Sequence, residues 1–253
     1  SAWWLHHSLH SLNESLDGTI NCYSGNPIDI IAELIVDHDV ESFSWNRVYT
    51  PWEIKRDTEI KALLKEKKIN VKTFNGALLW EPWEILKDDN TPYRVFSPFY
   101  KKGCLIKHSG PRQIIDSFDL LNLEKKISSS GDIDSLELLS NDKWKNKFDQ
   151  YWNIGEKAAM EKYKHFRDNG LTGYKDGRNF PSKENVSVLS PHLHFGEISP
   201  HQIWYDNKST SPKKDVGHFH SELGWREFSY YLIYHFPEMC TKNLNKRFDK
   251  FPW

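Results

Sequence analysis

Cysteine is scarce in this sequence: Cys22, Cys104 and Cys240 stand far apart among 253 residues. That spacing excludes a disulfide framework and a zinc knuckle, and it fits a reducing cytoplasm. Also missing are an apolar run of membrane-spanning length and a signal-peptide pattern, so no membrane partner is expected. Neither G-x-G-x-x-G nor a Walker A loop occurs, which removes the usual phosphate-binding signatures of dinucleotide and ATP enzymes. There are no internal repeats. The chain opens Ser1-Ala2-Trp3 without Met and stops at Phe251-Pro252-Trp253 without a terminating signal; both ends read as cut.

Tryptophan is in excess, with 11 residues inside an aromatic fraction of 14%. Core and interface packing accounts for most tryptophans, so the excess alone assigns nothing. The net charge of -1 conceals an asymmetry, because residues 1–140 carry 16 basic and 21 acidic side chains whereas residues 141–253 carry 18 and 14. A polyanionic partner would suit the second part, and so would an ordinary solvated surface.

The length suffices for one large domain or two ordinary ones. Trp4, Leu5, Leu9, Leu12 and Leu16 predict a helix, Thr19–Tyr23 a short strand and Pro27–Val36 a second helix. Val40–Trp45 then reads as a strand, Pro51–Lys68 as a helix opened by proline, and Val71–Phe74 as a strand. This alternation predicts an α/β parallel-sheet (Rossmann-like) domain over residues 1–106, incomplete because a first strand and helix are expected upstream. Residues 107–141 lose periodicity and read as an interdomain linker. Helical patterns at Trp152–Asn169, Pro200–Asp206 and Val216–His235 then make residues 142–253 an all-α region, the first part of a helical domain.

Two Ser-Pro steps, Ser190-Pro191 and Ser199-Pro200, predict two helix starts with serine as N-cap and proline at the first helical position. Their amides either serve only as capped termini or hold an anion such as a pyrophosphate. The H-x-H pairs His192/His194 and His218/His220 would share a face only on a strand. On helices they diverge, and without a carboxylate or cysteine at ligand spacing no metal site is expected from them. Glu222, Trp225 and Arg226 fall at i, i+3 and i+4, on one helical face. They form either a surface ion pair beside a packed ring or a platform offering a carboxyl, a stacking ring and a cation to a flat anionic ligand.

Three segments in succession resemble a known family. Gly173-Tyr174-Lys175-Asp176-Gly177-Arg178-Asn179-Phe180-Pro181, the stretch Ser187–Pro200, and Glu222-Leu223-Gly224-Trp225-Arg226-Glu227-Phe228 are similar to the consecutive FAD-domain motifs of class I photolyases and cryptochromes. Upstream, Trp45–Trp52, Asn75-Gly76 and Pro92–Phe99 resemble the α/β antenna domain of the same family, so the resemblance spans essentially the whole chain.

The resemblance implies light-driven repair of cyclobutane pyrimidine dimers in UV-damaged DNA, a carbon-carbon lyase reaction run by electron transfer from reduced FAD. It implies that Tyr174 touches the flavin and that Ser187, Leu189 and Ser190 line its phosphates. Arg178 would face DNA phosphate, and Arg226 the flavin and DNA rim. Glu222 would hydrogen-bond the dimer and steady its radical anion, while Trp225 packs on the flipped-out bases. Trp253 would be the outer tryptophan of an electron-transfer chain, with its inner partners downstream. Asn46 matches an antenna-site position. Arg47 stands where some members have a carboxylate that serves folate, which leaves the antenna chromophore open between methenyltetrahydrofolate and a deazaflavin. Val186 stands where the family often has threonine. A cytoplasmic monomer is expected. The rival within the family is a cryptochrome, a blue-light sensor without repair; outside it, the rival is a nucleotide-binding α/β module with a helical interaction domain.

Overall fold

The computed structural model describes residues 1–107, 111, 130–139, 147–148, 150–206 and 212–252. Most of the expected linker, and Trp253, lie outside the described residues. The helices are α1 (Ala2–Ser15), α2 (Pro27–Asp37), α3 (Pro51–Glu66), α4 (Phe96–Pro98), α5 (Glu156–His165), α6 (Tyr174–Gly177), α7 (Ser190–Phe195), α8 (Pro200–Asp206) and α9 (Lys213–His235). The strands are β1 (Ser42–Asn46) and β2 (Asn70–Phe74). The chain divides into two compact units that interleave in sequence, Ser1–Asn26 with Gln113–Val216, and Pro27–Arg112 with Gly217–Trp253.

In the second unit β1 and β2 pair in parallel, from Ser42 opposite Asn70 to Asn46 opposite Phe74. The connection is α3, which begins with Pro51 because a proline at that position sacrifices no helical hydrogen bond. Its end is a Schellman turn: Ile69 N–H donates to the Leu64 carbonyl at 2.9 Å and Lys68 N–H to the Lys65 carbonyl at 3.1 Å. Lys68 takes the left-handed position at φ 59° that glycine usually fills. Ile60 and Leu64 of α3 are buried, and Trp45 Nε1 of β1 donates to Asp57 of α3 at 2.8 Å. The expected α/β character is therefore present as a two-stranded parallel pair carried by helices.

A face of α9 closes this unit over the loop 77–93. Glu227, Tyr231 and His235 recur every four residues. The Glu227 carboxylate accepts from Leu79 N–H at 2.7 Å, the Tyr231 hydroxyl donates to the Ile85 carbonyl at 2.8 Å, and His235 Nε2 donates to the Pro82 carbonyl at 2.9 Å. Phe99, at the start of a π-helix over Phe99–Lys107, packs against Phe228 and Tyr231 with ring centroids 5.0 and 4.6 Å apart.

In the first unit α1 is anchored by Trp4, whose indole is buried among Trp152, His192 and Phe195. The expected strand at Thr19–Tyr23 does not form; Cys22 makes only an isolated antiparallel bridge to Gly131. Asp17 and Gly18, both at positive φ, end α1 in a turn whose hydrogen bonds are satisfied locally, and among the described residues the stretch that follows has no ladder beyond that one bridge. The expected helix at Trp152–Asn169 starts later, at Glu156, because Gly155 holds φ 106°, and it finishes as a π-helix over Phe166–Gly170. Among the described residues no helix is long and apolar enough to cross a membrane.

Candidate functional site

The first unit carries Tyr174, Arg178, Ser187, Leu189 and Ser190. Gly173 precedes α6 at φ 81°, and the Asp215 carboxylate accepts from both Gly173 N–H and Lys175 N–H at 3.0 Å, so one acidic side chain fixes the start of this helix. That fixes Tyr174, which is buried edge-on against Phe166 and lies under the Arg178 guanidinium at 5.4 Å. Asn185 then ties the following segment to the same turn, donating to the carbonyls of Gly170 at 2.7 Å and Thr172 at 3.2 Å. A Cβ on Gly177 would collide with the Asn185 side chain, which is why glycine stands there.

The stretch leading into α7 is unusual. Val188 holds φ 52°, a left-handed conformation that costs a β-branched residue steric strain. Ser190 was expected to cap α7, yet it is the first helical residue, Leu189 occupies the cap position, and no side chain caps the first amides. The turn forced by Val188 moves the helix start one residue upstream. At the second Ser-Pro step the expectation holds. Ser199 Oγ accepts from His201 N–H at 3.2 Å, and Gln202 Oε1 accepts from Ser199 N–H at 2.8 Å, a reciprocal capping box. The H-x-H residues of α7 diverge as a helix requires, with His192 buried and His194 exposed. His192 Nδ1–H donates to Glu197 at 2.5 Å.

The second unit carries Glu222, Trp225 and Arg226 on α9 together with Asn46. Trp225 is 48% exposed, and its ring stacks on Phe96 with centroids 3.8 Å apart and planes 13° from parallel. Phe96 in turn stacks on Tyr100 at 5.4 Å, so three rings form a column. Sequence reasoning missed Phe96 and Tyr100, because nothing in local spacing links them to a tryptophan more than 120 residues away. Gly224 makes the column possible, since a Cβ there would lie 2.6 Å from the Tyr100 ring. Gly224→Ala is therefore expected to destabilise the protein by about 1–3 kcal/mol through overpacking, measured by denaturant unfolding. Adding Tyr100→Leu should recover part of the loss; a Gly224→Ala variant as stable as the parent would refute the column.

Arg226 is engaged within the unit. Its Nη1 donates to the Ala77 carbonyl at 2.8 Å and to Glu227 at 3.1 Å, and its guanidinium lies 5.1 Å from the Tyr230 ring centre. Asn46 is exposed at the carboxyl end of β1, with its side chain 2.5 Å from where a Gly76 Cβ would sit. Ligands of open α/β sheets gather at such strand ends. Arg47 is bound to Glu81 and to the Thr73 carbonyl, and Tyr49 donates its hydroxyl to the other Glu81 oxygen at 2.9 Å. Burial and the Glu81 charge push the Tyr49 phenol well above its ordinary range.

The DNA photolyase family model matches residues 1–113. A deoxyribodipyrimidine photo-lyase of Agrobacterium fabrum is 37% identical over 258 residues, covering 99% of this chain and 53% of that protein. The crystal structure of a bacterial class III photolyase from Agrobacterium tumefaciens has the same fold with a TM-score of 0.85 at 35% identity, over 100% of this chain and 53% of that one. Over its whole length the chain is similar to these proteins, which supports the photolyase/cryptochrome family. Cryptochrome-1 of Arabidopsis thaliana is 27% identical over 278 residues, with 100% of this chain and 39% of that protein covered. The chain thus spans about half the length of the photolyases it matches. The class I membership expected from the motifs is not shown: the similar structure is of a class III photolyase, and the likeness supports the photolyase/cryptochrome family as a whole.

FAD and an antenna chromophore are the cofactors of this family. The start of α7 fits a flavin diphosphate: its first amides carry no side-chain cap, the half-buried Ser187 and exposed Ser190 supply hydroxyls, and Val188 bends the backbone between them.

Proposed function

We propose that this chain is the part of a light-driven photolyase that holds the FAD phosphates and meets a cyclobutane pyrimidine dimer in DNA, and that the protein is of class III. FAD, when bound, supplies the photoexcited electron donor. Ser187, Leu189 and Ser190 hold its phosphates, and Tyr174 and Arg226 border it. Arg178 takes a DNA phosphate, and Asn46 contributes to an antenna site for a folate or deazaflavin. Glu222 hydrogen-bonds the dimer, and Trp225 stacks on its bases. The class III reading is supported by 35% identity over the whole chain. Trp253 keeps its proposed electron-transfer role as the outer ring of a tryptophan chain.

The observation that carries the lesion-binding reading is the half-exposed Trp225 ring backed by Phe96 and Tyr100. A surface tryptophan without support would sample several rotamers, whereas one held flat on a second ring offers a fixed face to a base. The test is loss of thymine dimers from irradiated DNA by the whole protein under blue light and not in darkness. Trp225→Ala is expected to weaken binding to dimer-containing DNA about 10–100-fold, the equivalent of the roughly 1–3 kcal/mol that stacking one base contributes. Glu222→Ala should lower repair per absorbed photon with the flavin spectrum intact. Absence of dimer loss in light from a flavin-loaded protein would reject repair in favour of a cryptochrome-type sensor.

A further inference from the structure

We infer that His6, His10 and Asp134 form a binding site for a divalent transition-metal cation of the zinc class, which pins α1 to the turn at residues 131–136. All three lie in the first unit. His6 and His10 are one helical turn apart on α1, so their rings emerge on the same face, with centroids 4.5 Å apart. Asp134 opens a 3-10 turn over Asp134–Leu136. One of its oxygens, Oδ1, lies 3.2 Å from His10 Nε2 and 3.9 Å from His6 Nδ1. The three ligand atoms all fall within 4.8 Å of one another. Zinc at its usual bond lengths of about 2.0–2.2 Å in a tetrahedral site holds its ligand atoms roughly 3.3–3.5 Å apart. The distances to Oδ1 straddle that range, so small rotamer changes close the site.

The donor set selects the ion. Two imidazoles and one carboxylate suit zinc, nickel or copper(II) and are poor hosts for magnesium or calcium, which prefer oxygen alone. Three protein ligands leave one tetrahedral position for water. Asp134 is presented by a defined turn: the Asp132 carboxylate accepts from Ser135 N–H at 2.9 Å, Ser135 Oγ donates to the Asp132 carbonyl at 2.6 Å, and Gly131 is bridged to Cys22 through both backbone bonds. The His6 side chain is 13% exposed, His10 45% and Asp134 73%, which gives the ion an inner ligand and an open approach from solvent. None of the three residues takes part in the proposed flavin or lesion contacts, so this site stands or falls independently of them.

The test is metal titration of the whole untagged protein after chelator treatment, with Zn2+ followed by equilibrium dialysis and Co2+ by its visible spectrum. One equivalent is expected to bind with at least tenfold higher affinity than to His10→Ala or Asp134→Asn, both surface changes compatible with folding. His7→Ala, the neighbouring ring outside the set, should change the affinity less than twofold. Binding should fall as pH drops through the imidazole range, because the ligands must shed protons to coordinate. Zinc should also raise the unfolding midpoint of the parent and leave that of the two ligand variants unchanged. Absence of a stoichiometric site, equal affinity in the ligand variants, or a loss in His7→Ala as large as in His10→Ala would overturn the assignment.

Discussion

Trp4→Ala is expected to cost about 3–5 kcal/mol of stability, the range for deleting a large buried ring. The Trp4 indole is almost fully buried, edge-on to Trp152 and His192 with centroids 5.1 Å away and nearly parallel to Phe195 at 6.0 Å. Truncation empties the middle of that cluster, and rings fixed on two other segments cannot collapse into the space. It also removes a donor, because Trp4 Nε1–H donates to Glu197 at 2.9 Å. Burial pushes the Glu197 carboxyl up, but bonds from His192, Ser8 and Trp4 outweigh it and hold the group below the ordinary carboxylate range. Trp4→Phe keeps most of the ring and loses only the donor, so a smaller loss of about 1–2 kcal/mol is expected there. Urea unfolding followed by far-ultraviolet circular dichroism measures both. A loss below about 1.5 kcal/mol for the alanine variant would mean that α1 is not anchored through this residue. The effect should also reach the proposed phosphate-binding segment, since His192 and Phe195 belong to α7, whose first turn begins at Ser190.

The cluster around Trp4 also marks where sequence reading stops. Periodicity delivers α1, α2, α3, β1 and β2 because each is encoded locally: Pro51 opens α3, and Phe43 and Trp45 alternate with polar residues along β1. A contact between residues 193 positions apart, such as Trp4 with Glu197, leaves no local trace. The same holds for Phe96 under Trp225, and for His6 and His10 facing Asp134. Local propensity fails where backbone constraint overrides it. Thr19–Tyr23 has strand-like composition but no partner strand among the described residues, and with Val188 at φ 52° the cap of α7 falls on Leu189 instead of Ser190. The glycines of the motifs prove legible in retrospect: Gly177 makes room for Asn185 and Gly224 for Tyr100, so each reports a close approach whose partner spacing cannot name. The motifs that carry the family resemblance point to the family and not to the class, because the FAD they are proposed to hold is common to the family.

Lowering the pH from about 7 to about 4.5 is expected to strengthen the second unit through Glu227 by about 3 kcal/mol, against the usual direction of acid titration. Burial pushes the Glu227 carboxyl from its ordinary value of 4.5 up to about 7, against the opposing pull of Arg226 and of the Leu79 and Trp80 amides. Its charge bears also on Cys104, a buried thiol that is itself pushed up, chiefly by burial. A carboxyl raised on folding binds its proton more tightly in the native state than in the unfolded one. Its contribution is therefore fully present below pH 4.5, declines as pH rises, and is lost above about 7. The carboxyls held low, Glu197 among them, act in the opposite sense but below their own ordinary values, so the two windows do not overlap. Glu227→Gln keeps an acceptor for the Leu79 amide and cannot ionise, so it should flatten the slope between pH 4.5 and 7 and equal or exceed the parent in stability at pH 7.5. Chemical denaturation at pH 4.5, 6 and 7.5 separates the cases. A glutamine variant with the same slope as the parent would show that Glu227 is ionised at neutral pH and that Arg226 neutralises it fully.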